Sequence, residues 1–171
     1  MLRRKRHDTR DVADGGPARV LVVNDDEGAC ELLVRLLSAD GYHVDRALSA
    51  GQATASLGVV RPHVVVLDLA TGGIGSNLKL LDTVRGHQDL EIASCRVVLV
   101  TAQGHNRIFS WQAGVDGFIE RPFHVRELRR TVAEALARPE DERARHRREQ
   151  IDAARTMGRR LHMDPRVTQE F

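Results

Sequence analysis

Two carboxylates, and the residue types that can gather around them, suggest what chemistry this chain could do. Asp68 closes the run Val64-Val65-Val66-Leu67, and Asp25 follows Val20-Leu21-Val22-Val23-Asn24. Each apolar run is short, unbroken and rich in β-branched residues, the pattern of a strand buried on both faces of a parallel sheet. In an open α/β sheet the ligand crevice lies beyond the carboxyl ends of the strands, so both acids fall at that mouth. One strand-ending Asp reads equally well as a cap for the next turn. Two of them, from separate strands at one mouth, do not. Asp25, Asp68 and nearby carbonyl oxygens make a hard-oxygen site suited to Mg2+, which takes one or two carboxylates and keeps several waters. Thr101 ends another apolar run, Arg96-Val97-Val98-Leu99-Val100, and Arg121 comes just after Gly117-Phe118-Ile119. Acid, metal, hydroxyl and cation around one carboxylate are the parts needed for phosphoryl transfer, with Asp68 as the nucleophile that becomes an acyl phosphate.

Positioning these residues takes alternating strands and helices. Ala29, Leu32, Leu33, Leu36 and Leu37 recur at helical spacing until Gly41 stops the first helix. His43–Ala47 alternates with polar residues and reads as an edge strand. Ser49 can cap a second helix carrying Ala53, Ala55 and Leu57 and ending near Gly58. Thr71-Gly72-Gly73-Ile74-Gly75 reads as a flexible turn before a third helix with Leu78, Leu80, Leu81 and Val84. The stretch from His87 to Ser94 reads as a longer connection, and a fourth helix is expected over roughly 105–113, with Ile108, Phe109 and Trp111. A fifth carries Val125, Leu128, Val132 and Leu136. Right-handed crossovers then place helices on both faces of a parallel sheet. The expected fold is a flavodoxin-like (βα)5 sandwich of strand order 2-1-3-4-5, whose switch point lies between strands 1 and 3, where Asp25 and Asp68 end.

Length and composition bound the rest. The chain of 171 residues allows one ordinary domain with an extension, and 42% hydrophobic against 4% aromatic content makes the core aliphatic. The expected divisions are a disordered basic lead over 1–17, the α/β domain over 18–137, and a charged helical extension with a loose C-terminus over 138–171. No apolar run approaches a membrane span and no signal-peptide pattern is seen. Cys30 and Cys95 lack metal or redox spacing, so reduced thiols in a cytoplasmic protein are expected. The net charge of +2 divides into +4 over residues 1–10, +2 over 138–171 and −4 between. An acidic body suits a cation site, and the basic tails read as solvated, so nucleic acid is not expected as a partner. The loop after the first strand is acidic and repels phosphate without a metal. Gly72-Gly73-Ile74-Gly75 is neither GxGxxG nor GxxxxGK[ST], so a nucleotide or flavin enzyme is the weaker alternative.

From about Ala18 to Ala137 the chain resembles a bacterial two-component response-regulator receiver domain. The matching pieces are Val20-Leu21-Val22-Val23-Asn24-Asp25, Val64-Val65-Val66-Leu67-Asp68-Leu69, Val97-Val98-Leu99-Val100-Thr101-Ala102 and Gly114-Val115-Asp116-Gly117-Phe118-Ile119-Glu120-Arg121-Pro122-Phe123. The resemblance implies that a histidine kinase or phosphotransfer protein donates a phosphoryl group to Asp68. It implies Mg2+ held by Asp25, Asp68 and the carbonyl of Ala70, with Asn24 a weak or water-mediated ligand. Thr101 and Phe118 match the family's switch hydroxyl and switch aromatic. Output would pass to a protein partner, or to a second copy, through the face of helix 4, strand 5 and helix 5. Such a domain is not an enzyme beyond autophosphatase turnover. Asn24 stands where the family has the first Asp of its acidic pair, Arg121 where it has Lys, and Gly72 where it has Pro. Losing a carboxylate weakens a Mg2+ site, and Arg grips a carboxylate in a planar fork that Lys cannot make. Two uses of the fold therefore stay open: a phosphoacceptor, or a pseudo-receiver serving as adaptor or dimerisation module.

The segment 138–171 holds no helix-turn-helix core. Pro139-Glu140-Asp141-Glu142 looks like a helix start, and Ala144, Ile151, Ala154 and Leu161 form a thin apolar stripe. The expectation is a solvated, partly frayed helix extending helix 5.

Overall fold

The computed structural model describes residues 15–68, 73–101, 114–145, 148–149, 152 and 156. The apolar runs form β1 (Arg19–Asn24), β2 (His43–Ala47), β3 (Val64–Asp68), β4 (Arg96–Thr101) and β5 (Gly117–Glu120). They pair in parallel in the order β2-β1-β3-β4-β5, as the patterning predicted, with the polar β2 at one edge. Helices are α1 (Glu27–Ala39), α2 (Ala50–Val60), α3 (Gly73–Arg85), a single turn α4 (Leu90–Ala93) and α5 (Val125–Ala137). Residues 140–145 form a further helical stretch.

Strand alternation sorts the core into two layers. Leu21, Val23, Val65, Leu67, Val97 and Leu99 pack with Ala53, Leu57, Leu80, Leu81, Val84 and Ile92 from α2, α3 and α4. Val20, Val22, Val64, Val66, Val98, Val100 and Ile119 pack with Cys30, Leu33, Leu37, Leu128, Val132 and Ala135 from α1 and α5. The central strands are buried on both faces because they separate these two aliphatic layers. Glycine matters where α5 crosses β5: a Cβ on Gly117 would lie 2.6 Å from Thr131 Cγ2 and 3.2 Å from Val98 Cγ2.

Several boundaries differ from the sequence reading. Helix α2 runs through Gly58 to Val60 and ends at Arg61, which adopts the left-handed conformation (φ 46°). Pro62 follows and disfavours continued helix. Arg61 also reaches Asp89 at 2.6 Å and Glu91 at 2.5 Å. Gly73 and Gly75 lie inside α3, not in a turn, because Leu80, Leu81 and Val84 bury its inner face and packing outweighs poor propensity. The connection from His87 to Ser94 contains α4, whose N-cap Asp89 accepts the Glu91 N–H. Helix 4 of the sequence reading, Trp111 and Ala70 lie outside the described residues, as do residues 1–14 of the lead and 157–171 of the C-terminus.

The start of the extension also departs from expectation. It does not continue α5, which ends with Arg138 as an extended C-cap. Residues 140–145 turn back onto the domain, and Arg143 is 1% exposed. A buried carboxylate, Asp116, receives its guanidinium and supplies what a solvated helix would lack.

Candidate functional site

The mouth of the sheet is assembled by register. β1 and β3 are neighbours, and Asn24 lies directly opposite Asp68. Both residues share the strand parity of Val20, Val22, Val64 and Val66, so their side chains emerge on the α1 and α5 side. Asn24 Nδ2 donates to Asp68 Oδ2 at 3.0 Å, while Asn24 Oδ1 accepts the Asp26 N–H at 2.8 Å. Asn24 thus presents an amide donor, not an oxygen, to Asp68. Asp25 follows β1 directly and is half-buried. Asp26 is the N-cap of α1, its Oδ1 accepting the Ala29 N–H at 2.8 Å. That cap is why Asp26 does not substitute for the carboxylate missing at Asn24.

Arg121 arrives from the far side. Its backbone N–H donates to the Thr101 carbonyl at 2.8 Å, extending the β4–β5 ladder beyond Glu120. Its guanidinium makes an ion pair with Asp68 Oδ2, the same oxygen that Asn24 contacts. The Arg121–Pro122 peptide bond is cis. Thr101 ends β4 and is 7% exposed. Phe118 lies opposite Leu99 and packs, half-buried, against the layer of α2, α3 and α4.

Asp68 is 3% exposed. Burial pushes its carboxyl above the ordinary aspartate value, Arg121 pulls it down, and the charges of Asp25 and Asp26 push it up again. Negative charge is therefore crowded at this mouth, and a cation is favoured there. Arg121 is one such cation. The carboxylates of Asp25 and Asp68 are the oxygen donors the described residues offer to a second, the pair a Mg2+ ion could use. Among the described residues no group of three or more His, Cys, Asp or Glu is arranged to hold a metal. A Mg2+ ion here would keep most of its waters.

Asp25, Asn24, Asp68, Thr101 and Arg121 are thus brought to one end of the sheet, and Phe118 to the strand beside it. The sequence reading missed what Asn24 does. Strand parity and the β1–β3 pairing, which the sequence carries, set the two residues side by side, while which amide atom faces Asp68 is decided only in the fold.

The chain matches the response regulator receiver domain family over residues 20–133. It is 31% identical over 157 residues to the response regulator MprA of Mycobacterium tuberculosis, an alignment covering 89% of this chain and 62% of that protein. It is 29% identical over 128 residues to the DNA-binding response regulator MtrA of Mycolicibacterium smegmatis, covering 74% of this chain and 54% of that protein. The chain spans between half and two-thirds of the length of these curated relatives. Among solved structures, the receiver domain of NtrX from Brucella abortus superposes with a TM-score of 0.61 at 28% identity, covering 70% of this chain and 99% of that one. A CheY-like response regulator receiver domain protein from Methanospirillum hungatei gives a TM-score of 0.61 at 25% identity, over 75% and 97% of the two chains. No helix of the described residues is long and apolar enough to cross a membrane. With its strand order, its acidic mouth and these matches, the chain belongs to the response-regulator receiver family.

Proposed function

We propose that this chain is a phosphoacceptor in two-component signalling, taking a phosphoryl group on Asp68 from a histidine kinase or phosphotransfer protein. The observation that carries this reading is the buried Asp68 at the carboxyl end of β3, ion-paired to Arg121 and hydrogen-bonded to Asn24. In the transfer, an Asp68 oxygen attacks the phosphorus of a phosphohistidine. The P–N bond breaks, its electron pair leaves with the imidazole, and an acyl phosphate remains. Arg121 would balance charge gathering on the phosphoryl oxygens, and Asn24 would orient the attacking carboxylate. Asp25 and Asp68 would hold Mg2+, which supplies further charge neutralisation when bound. Thr101 is then drawn toward the phosphoryl group and Phe118 shifts with it, biasing the face presented to a protein partner or a second copy.

The test is incubation with a small-molecule phosphodonor and Mg2+, read by intact mass. One added phosphoryl group is expected, absent in Asp68→Asn.

A second reading has its own observation. Arg121 and Asn24 both occupy Asp68 Oδ2, a pairing that can fix one state without phosphate. Such a pseudo-receiver would act as an adaptor or dimerisation module. Absence of an adduct at every Mg2+ concentration, with labelling appearing in Arg121→Lys, would favour it. That exchange trades the planar fork for a point charge.

A further inference from the structure

Strand β5 is held at both ends by ion pairs that face opposite poles of the sheet, the one at its amino end buried on both sides. Just past its carboxyl end, Arg121 grips Asp68. Just before its amino end, Asp116 is 2% exposed and takes the guanidinium of Arg143, which is 1% exposed. The contact is a two-point fork, Nε to Oδ1 at 2.8 Å and Nη2 to Oδ2 at 3.2 Å. Asp116 Oδ2 also accepts Arg85 Nη2 at 3.2 Å and the Val97 N–H at 2.9 Å, so one carboxylate joins α3, β4, β5 and the extension. Arg138 Nη1 donates to the Asp116 carbonyl at 2.9 Å. Glu140 Oε2 accepts Arg143 Nη1 at 2.5 Å and helps balance its charge. The backbone of 138–145 is thereby clasped to the pole farthest from Asp68.

β5 is four residues long and is an edge strand, paired to β4 alone. Its ladder is closed by the Asp116 N–H to the Val97 carbonyl at 2.7 Å and the Arg121 N–H to the Thr101 carbonyl at 2.8 Å, and the two ion pairs fasten the same two ends through side chains. From Asp116 to Arg121 the chain covers about 16 Å at ~3.3 Å per residue. A strand that short transmits a displacement at one end to the other, because its backbone is extended, Ile119 is fully buried and Gly117 lies close against Thr131 and Val98. We propose that β5 is a tether between the two poles: the hold of Arg121 on Asp68 governs how firmly Asp116 seats Arg143, and hence the 138–145 clasp. The chain beyond the clasp would then respond to Asp68 through the amino-terminal pole of the sheet. This rests on the ion-pair geometry and needs neither phosphate nor Mg2+.

Hydrogen exchange by mass spectrometry on the full chain, without phosphodonor or added metal, tests it. Peptides covering 138–145 are expected to be protected in the parent protein and to exchange about tenfold faster or more in Arg143→Met. Arg143→Lys keeps the charge but loses the fork, so it gives an intermediate rate and serves if the Met variant does not fold. Asp68→Asn and Arg121→Ala, substituted far from the clasp, are each expected to speed exchange over 138–145 about fivefold or more. Asp68→Asn added to Arg143→Met is expected to add nothing, because the tether already ends free. Unchanged exchange over 138–145 in both Asp68→Asn and Arg121→Ala, with Arg143→Met fast, overturns the coupling. Unchanged exchange in Arg143→Met overturns the clasp itself. Failure of phosphorylation at Asp68 would leave every one of these outcomes readable.

Discussion

Asp68 carries its charge where burial opposes it. Its carboxyl is pushed above the ordinary aspartate value by desolvation, only partly offset by Arg121. The folded state therefore holds the Asp68 proton more readily than the unfolded chain does. The contribution of this group to stability is full below the unfolded value of 3.8 and is lost as pH rises through the higher folded value. Asp68→Asn is accordingly expected to raise the urea midpoint at pH 7, with the gain shrinking toward pH 4. Denaturation curves at the two pH values check this, and a lower midpoint at pH 7 would show that the Arg121 pairing outweighs burial. The cysteines make a second prediction at this scale. Cys95 is pushed up to about 11 by burial, and burial also raises Cys30. Neither thiol is expected to react with a chromogenic disulfide reagent at pH 8 in the native protein, whereas both react in denaturant. The placement of the candidate site was largely legible here. Asp25, Asp68 and Thr101 each end a β-branched run and Arg121 follows the short strand Gly117–Glu120, and strand ends in a parallel sheet converge by construction. Which atoms touch was not legible, because the sequence suits Asn24 equally to a metal ligand and in the fold its amide donates to Asp68.

Elements were read best where a period or a cap is written locally. Gly41 does follow the first helix, with φ 92°, and Ser49 does cap the second, accepting the Gln52 N–H. Asp26 caps α1, and Asp26→Ala is expected to cost about 1 kcal/mol in chemical denaturation. Helix ends set by contacts elsewhere were misread. α2 passes Gly58 and stops at the left-handed Arg61 before Pro62, with Arg61 reaching Asp89 and Glu91 a whole strand and helix away. α5 and β5 give the sharpest prediction of this kind. Gly117→Ala would drive a methyl against Thr131, whose branched side chain has little rotamer freedom in a helix. A loss of about 1–3 kcal/mol is expected in the urea midpoint, and it should shrink when Thr131→Ser opens space.

The described residues have an acidic candidate site at one pole and an arginine-rich clasp at the other. The clasp is a network of buried charge in which Arg143 is one member of several. Removing one partner of such a pair leaves an uncompensated group, so Arg143→Met is expected to lower stability by about 3 kcal/mol. Because both groups are buried, that loss should change little between low and high salt. Thermal melts across a salt series check both statements. A loss confined to low salt would mean that solvent reaches the pair.

By itself the sequence determined the class and topology of this protein. Unbroken β-branched runs alternating with amphipathic helices admit few arrangements, and right-handed crossovers narrow them further. It also placed the acids at one mouth, since the carboxyl ends of parallel strands share an edge. Tertiary structure alone decided that Arg121 and Asn24 meet on one oxygen of Asp68, and that Arg143 returns to a carboxylate 27 residues earlier in the chain. Contacts of that kind have no local period and no propensity to announce them. They arise from packing distant elements together, and burial then makes each charge find its partner.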